Sequence, residues 1–288
     1  MADIPAPAPR LAVPSLHIQC PTILVFDSGL GGLSVFREVA RARPDASFIY
    51  AADDAAFPYG ALSDAALVAR VSSVMDTLIA ATRPTLVVVA CNTASTLALP
   101  TLRAAHGLPF VGTVPAVKPA CAASVTRKVS VLATPGTVRR DYTASLVRDF
   151  AGSCEVTLVP SPRLAELAEA VMRGAAIDDE DLRAEIAPCF VRSETGRTDT
   201  VVLACTHYPL IVDQLRRVAP WPVNFVDPAP AIARRVASLL GPTAFAGSPK
   251  PVRVVSTGSA LDGALVSRIL QRETNAPEVI APPFALAS

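Results

Sequence analysis

The chain has 288 residues, 51% hydrophobic and 18% charged, and 26 Lys+Arg against 25 Asp+Glu leave a net charge of +1. That length suits two domains or one large α/β unit with ample core. The near-zero charge offers no field for a phosphate backbone, and the Arg pairs at 139–140, 216–217 and 234–235 are isolated doublets that read as solvated helix faces, so nucleic acid is not expected as a partner. No uninterrupted apolar stretch reaches the roughly 18–20 residues of a membrane helix, so no membrane is expected either.

Residues 1–21 hold five prolines and no basic region ahead of an apolar core; they are expected to be a flexible N-terminal extension rather than a signal peptide. Without export the expected compartment is the cytoplasm, where thiols stay reduced. From there, β-branched runs predict strands at 22–27, 47–53, 85–91, 128–134, 155–159, 199–205, 223–227 and 252–258. Amphipathic Ala/Leu-rich stretches such as 62–81, 137–150, 163–173 and 229–240 predict helices between them. The alternation implies βαβ units and parallel sheets, whose ligands sit beyond the carboxyl ends of the strands.

The first strand end reads FDSGLGGLS (26–34), with Asp27, Ser28 and Gly29, Gly31 and Gly32 opening a helix. It nearly matches a dinucleotide fingerprint, with Asp53 or Asp54 about twenty residues on. Asp27, however, would repel a pyrophosphate where the helix dipole should attract one. A small carboxylate held by the loop N–H groups and Ser28 fits better. After the second strand, Phe57-Pro58-Tyr59-Gly60 is a turn whose N–H groups could border a ligand. The third strand ends TLVVVACNTAST (85–96) and a later one ends TVVLACTHYPLI (200–211); these form a pseudo-repeat, one copy per domain, joined through GTVPAVKPA (112–120). Glu169 lies on the helix at 163–173, where a solvated glutamate is the default.

The six cysteines include no C-x-x-C pair, which argues against a zinc site, a redox motif or a disulfide scaffold. Cys20, Cys121, Cys154 and Cys189 read as small core residues. Cys91 and Cys205 differ because each ends a strand ahead of polar groups at an expected helix start, a place that lowers a thiol's pKa. His207 lies two residues beyond Cys205, within reach as a proton partner.

Taken together, Asp27-Ser28-Gly-Leu-Gly-Gly-Leu-Ser, Pro58-Tyr59-Gly60, Cys91-Asn92-Thr93-Ala94-Ser95, Val114-Pro115-Ala116-Val117-Lys118 and Cys205-Thr206-His207-Tyr208-Pro209-Leu210 resemble the glutamate racemase family, within the cofactor-independent aspartate/glutamate racemases. The resemblance runs from about residue 22 to about 260. It implies an α/β fold of two similar parallel-sheet αβα domains related by pseudo-symmetry, with the active site in the cleft between them. The expected boundaries are 22–114 plus 226–288 for the first domain and 115–225 for the second.

The resemblance further implies a metal-free and cofactor-free isomerase that interconverts L- and D-glutamate, supplies D-glutamate for peptidoglycan and works as a homodimer. Inverting a stereocentre this way needs a base on one face of Cα and an acid on the other. By resemblance Cys91 acts on D-glutamate and Cys205 on L-glutamate, with Asp27 assisting the first and His207 and Glu169 the second. Asp27, Ser28, Tyr59, Gly60, Asn92, Thr93, Thr134, Thr137, Thr206 and His207 are the implied substrate-binding positions. Two departures are Ala56, where many members carry Arg, and Ser161-Pro162 in place of Cys-Pro. A Cys–His hydrolase would leave the second cysteine motif unexplained, and an amino-acid-binding protein would need no thiols. Activation by a peptidoglycan precursor is left open.

Overall fold

The structure is a computed structural model that describes residues 20–243, 245 and 247–281; the expected N-terminal extension lies almost wholly outside the described residues. In chain order the strands are β1 (Thr22–Asp27), β2 (Ser47–Ala52), β3 (Leu86–Val89), β4 (Phe110–Gly112), β5 (Lys128–Ala133), β6 (Glu155–Pro160), β7 (Arg192–Ser193), β8 (Gly196–Arg197), β9 (Thr200–Ala204), β10 (Asn224–Val226), β11 (Arg253–Ser256) and β12 (Glu278–Val279). They form a six-stranded sheet in the order β12-β11-β2-β1-β3-β4, a four-stranded sheet in the order β10-β9-β5-β6, and the small hairpin β7-β8. Both larger sheets are parallel throughout.

The central strands are apolar at consecutive positions because both sheet faces are covered. Successive side chains point to opposite faces. Ile23 and Val25 pack with the helices Leu33–Ala42, Ala229–Leu240 and Gly263–Leu270, whereas Leu24 and Phe26 pack with Asp64–Thr82 and Leu99–Ala105. The second sheet repeats the pattern, with Val202 and Ala204 on one side and Val201 and Leu203 on the other. The result is two helix-sheet-helix layer stacks, an α/β fold with parallel sheets.

Several elements escape the sequence pattern. β4, β7, β8 and β12 span only two or three residues each and owe their conformation to pairing partners. The expected helix over 137–150 is broken into Pro135–Val138 and Asp141–Phe150. Thr134 caps the first piece by accepting from Thr137 N, and the extended Arg140 that starts the second sends its guanidinium to Asp64 rather than into solvent. The linker at 112–120 is only partly a crossing segment, because Val117–Ala123 is helical. Pro119 is tolerated there since the first-turn N–H groups of a helix have no internal acceptor.

Asp64–Thr82, a helix of 19 residues, is long and apolar enough to cross a membrane by length and composition alone, although Asp64, Arg70 and Asp76 leave no uninterrupted apolar run in it. Here it covers the six-stranded sheet with one face: Leu67, Val71, Val74, Met75 and Leu78 are buried against it. Arg70 in its middle forms a buried ion pair with Asp53.

Candidate active site

Each of the two larger sheets has a reversal of strand order beside its first strand. After β1 it runs outward to β2, then returns past β1 to β3; after β5 it runs outward to β6, then returns past β5 to β9. Loops leaving the two sides of such a reversal diverge and open a crevice at the carboxyl ends of the strands. In the first sheet these loops carry Asp27-Ser28 and Cys91-Asn92-Thr93, and in the second Thr134 and Cys205-Thr206-His207.

The two crevices face each other. Ser34 Oγ donates to the Thr206 carbonyl at 2.9 Å, Thr206 Oγ1 donates to Asp27 Oδ1 at 3.2 Å and Leu30 N donates to Glu169 Oε2 at 3.2 Å. Thr93 Oγ1 lies 3.1 Å from Thr134 Oγ1 and 3.3 Å from Thr137 Oγ1. Between them remains a cavity of about 20 Å³ lined by Ser28, Tyr59, Gly60, Asn92, Thr93, Thr134 and Thr206, with Cys91, Cys205 and His207. Phe57, Pro58 and Ala165 complete the wall. Asp27, Thr137 and Glu169 stand behind it, each bonded to a lining residue.

Both sulfurs have polar company. Ser28 Oγ donates to Cys91 Sγ at 3.8 Å. Burial, reinforced by the Asp27 carboxylate, pushes the Cys91 thiol up to about 12, which overturns the expectation of a lowered value. Cys91 does cap the helix Asn92–Leu97, but the Ala94 N–H and the Ser28 hydroxyl do not offset removal from water. Burial likewise raises Asp27 to about 6, against the pull of His207 and of the Gly29 and Gly32 N–H groups.

Cys205 Sγ lies 3.8 Å from His207 Nδ1, and His207 Nε2 lies 2.7 Å from Glu169 Oε2. Cys205 itself is not at a helix start, since His207 caps the short helical turn Tyr208–Ile211. Burial would lower the imidazole, but hydrogen bonds to Cys205 and Glu169 raise it to about 10. For Glu169 burial would raise the carboxyl, yet His207, together with Arg173 Nη2 at 2.8 Å, holds it at about 2. His207 and Glu169 are thus an ion pair, and Glu169 is 7% exposed rather than solvated.

Two of the loop N–H groups expected to hold a small carboxylate are already engaged. Gly29 N donates to Asp27 Oδ2 at 3.1 Å and Leu30 N donates to Glu169, so the protein's own carboxylates occupy those donors. Glycine is required at 31, because a Cβ there would lie 2.4 Å from His207 Nδ1. Asp53 is no ribose ligand: Arg70 Nη2 donates to it at 2.6 Å, and the Tyr59 and Thr257 hydroxyls donate at 2.5 Å. Asn92 Nδ2 and Oδ1 are buried without a partner, and such groups are normally satisfied, so the cavity presents an unused donor and acceptor. Among the described residues no three His, Cys, Asp or Glu side chains are grouped to hold a metal.

Sequence reasoning missed the Asp53–Arg70 pair, which no local pattern marks, and Arg173, whose spacing of four from Glu169 on one helix face was available. A family model described as Asp/Glu/hydantoin racemase matches residues 23–236. The chain belongs to that family. It is 55% identical over 232 residues to a glutamate racemase of Brucella anthropi, covering 80% of this chain and 83% of that protein. It is 56% identical over 221 residues to a glutamate racemase of Mesorhizobium japonicum, covering 76% and 84%. Among solved structures, Escherichia coli glutamate racemase in complex with L-glutamate and the activator UDP-MurNAc-Ala superposes with a TM-score of 0.81 at 40% identity, covering 91% of this chain and 98% of that one. The family member described here is an amino-acid racemase, an isomerase.

Proposed function

We propose that this protein is a glutamate racemase that inverts Cα with two cysteines and supplies D-glutamate for peptidoglycan. The observation that carries the proposal is the pair of thiols, one from each sheet, lining one cavity with a separate proton partner behind each. L-Glutamate would lose its Cα proton to Cys205, whose sulfur faces the His207 cation, while Cys91, held as a thiol, delivers a proton to the opposite face. In the reverse direction Cys91 is the base. The Asp27 carboxyl, ionised above about 6, is its proton partner, close enough for its charge to act on the Cys91 sulfur.

The Cα proton is weakly acidic, so charge growing on the substrate needs fixed donors in a dry site. Asn92, Thr93, Thr134, Thr206 and the Tyr59-Gly60 turn are the groups assigned to hold the carboxylates and amine, with Thr137 supporting Thr93 and Thr134. A cavity of about 20 Å³ has room for a water rather than an amino acid, so substrate entry requires the facing loops to part. The corresponding domains are 22–114 with 226–288 and 115–225, each built on one sheet. A cytoplasmic homodimer belongs to the same proposal.

The test is incubation with L-glutamate in D2O, following the α-proton by NMR and the enantiomer by chiral chromatography, with and without UDP-MurNAc-Ala, the activator bound by the Escherichia coli relative. Solvent deuterium enters Cα as D-glutamate accumulates, and Cys91→Ser and Cys205→Ser each abolish racemisation. Absence of both exchange and D-glutamate with reduced protein rejects the activity, and full turnover by either single variant rejects the two-cysteine scheme.

A further inference from the structure

Four cysteines lie outside the cleft, and they are not equivalent core residues. Cys189 is fully buried and Cys20 is exposed, but Cys121 and Cys154 are half-buried and touch each other. Cys121 sits on the helix Val117–Ala123, directly after the crossing between the sheets; Cys154 immediately precedes β6, the edge strand of the four-stranded sheet. The Cys154 S–H donates to the Cys121 carbonyl at 3.5 Å, and both side chains pack on one apolar cluster that includes Ala120, Leu146 and Val131. Burial, together with a hydrogen bond to Cys154, pushes the Cys121 thiol up to about 12.

We propose that Cys121 and Cys154 form a peroxide-oxidisable dithiol, a modification site separate from the cleft thiols, that closes to an intramolecular disulfide. Spacing in the sequence gives no hint of it, because 33 residues separate the pair. Only the fold joins them, by setting the loop that leads into the edge strand against the end of that helix. Accessibility selects them over the cleft: Cys91 is 5% and Cys205 7% exposed, behind loops that nearly close the cavity.

The chemistry balances with hydrogen peroxide as the oxidant. The Cys154 sulfur attacks one peroxide oxygen, the O–O bond breaks, and the products are a sulfenic acid and one water. The Cys121 sulfur then attacks the Cys154 sulfur, the S–S bond forms as the S–O bond breaks, and a second water leaves with the thiol proton. Two thiols are oxidised by two electrons and one peroxide is reduced to two waters.

The experiment treats the full-length reduced protein with hydrogen peroxide, alkylates remaining thiols and maps tryptic peptides by mass spectrometry. Peptides 104–127 and 149–163 each contain one of the two cysteines, so a linked pair lighter by two hydrogens is unambiguous. The expected result is that linked pair, with free thiols falling by two per chain before Cys91 or Cys205 is modified. In Cys121→Ser the disulfide is lost and dimedone captures a sulfenic acid on Cys154; in Cys154→Ser no linked pair forms. Circular dichroism confirms that each variant is folded. Oxidation first at Cys91 or Cys205, a disulfide through Cys20, or independent oxidation of Cys121 and Cys154 without a link overturns the proposal.

Discussion

Glu169→Gln is the most informative single change, because Glu169 never touches the cavity yet fixes the charge on His207. Raising that imidazole from 6.5 to about 10 corresponds to ~5 kcal/mol in favour of its cation, supplied by Cys205, Glu169 and Asp27 against the burial penalty. If Glu169 provides a third to a half of this, its neutral isostere forfeits ~1.5–2.5 kcal/mol, which is roughly a 10- to 70-fold loss in kcat/KM. The signs are definite. The Glu169 contribution to stability is present above 4.5 and is lost as pH falls toward 2; that of His207 is present below 6.5 and is lost as pH rises through 10. The ion pair therefore spans neutral pH, and the glutamine variant loses the alkaline limb near 10 as its imidazole titrates lower.

The assay is kcat/KM in both directions from pH 5 to 10.5, with thermal melts to separate folding from chemistry. L- and D-glutamate are enantiomers of equal free energy, so kcat/KM must fall by the same factor in both directions. The asymmetry belongs to the isotope effects, where proton transfer at Cys205 becomes more rate-limiting than transfer at Cys91. Wild-type kcat/KM with an unchanged alkaline limb in a folded glutamine variant refutes the role given to the Glu169–His207 pair.

Other outcomes follow from the same geometry. Asp27→Asn removes the acid limb near 6 and, since the raised carboxyl contributes stability below 3.8 that is lost as pH rises through 6, flattens stability over that window; an acid limb that persists contradicts the assignment. Gly31→Ala places a Cβ 2.4 Å from His207 Nδ1 and 2.5 Å from Thr206 Oγ1, and displacing those groups lowers kcat roughly 100-fold in steady-state assays. Arg70→Ala leaves the fully buried Asp53 carboxylate without its cation and costs ~3–5 kcal/mol in urea denaturation, part of which the double change with Asp53→Asn restores. A loss under ~1 kcal/mol would show that water or Thr257 compensates the carboxylate instead.

The sequence by itself determined the parts that are local in the chain. An apolar run followed by Ala-Cys and a polar trio is a strand ending in a functional loop, and two such ends, with the Asp27-Ser28 loop, were legible because each is set by neighbouring residues. Eight strands were visible for the same reason, the three-residue β10 among them, whereas β4, β7, β8 and β12, of two or three residues each, exist only through their partners. Tertiary structure decided what the charges and thiols experience. Glu169 reads as a solvated helical glutamate until residues 139 positions apart bring it to Leu30 N, with His207 beside it. Cys91 reads as a helix-start thiol with a lowered pKa until burial raises it, and Cys121 and Cys154 read as unrelated filler until the fold sets the Cys154 thiol against the Cys121 carbonyl. Periodicity and turn chemistry act over a few residues and are written in the sequence, but desolvation and ion pairing depend on groups that only the closed fold brings within a few ångströms.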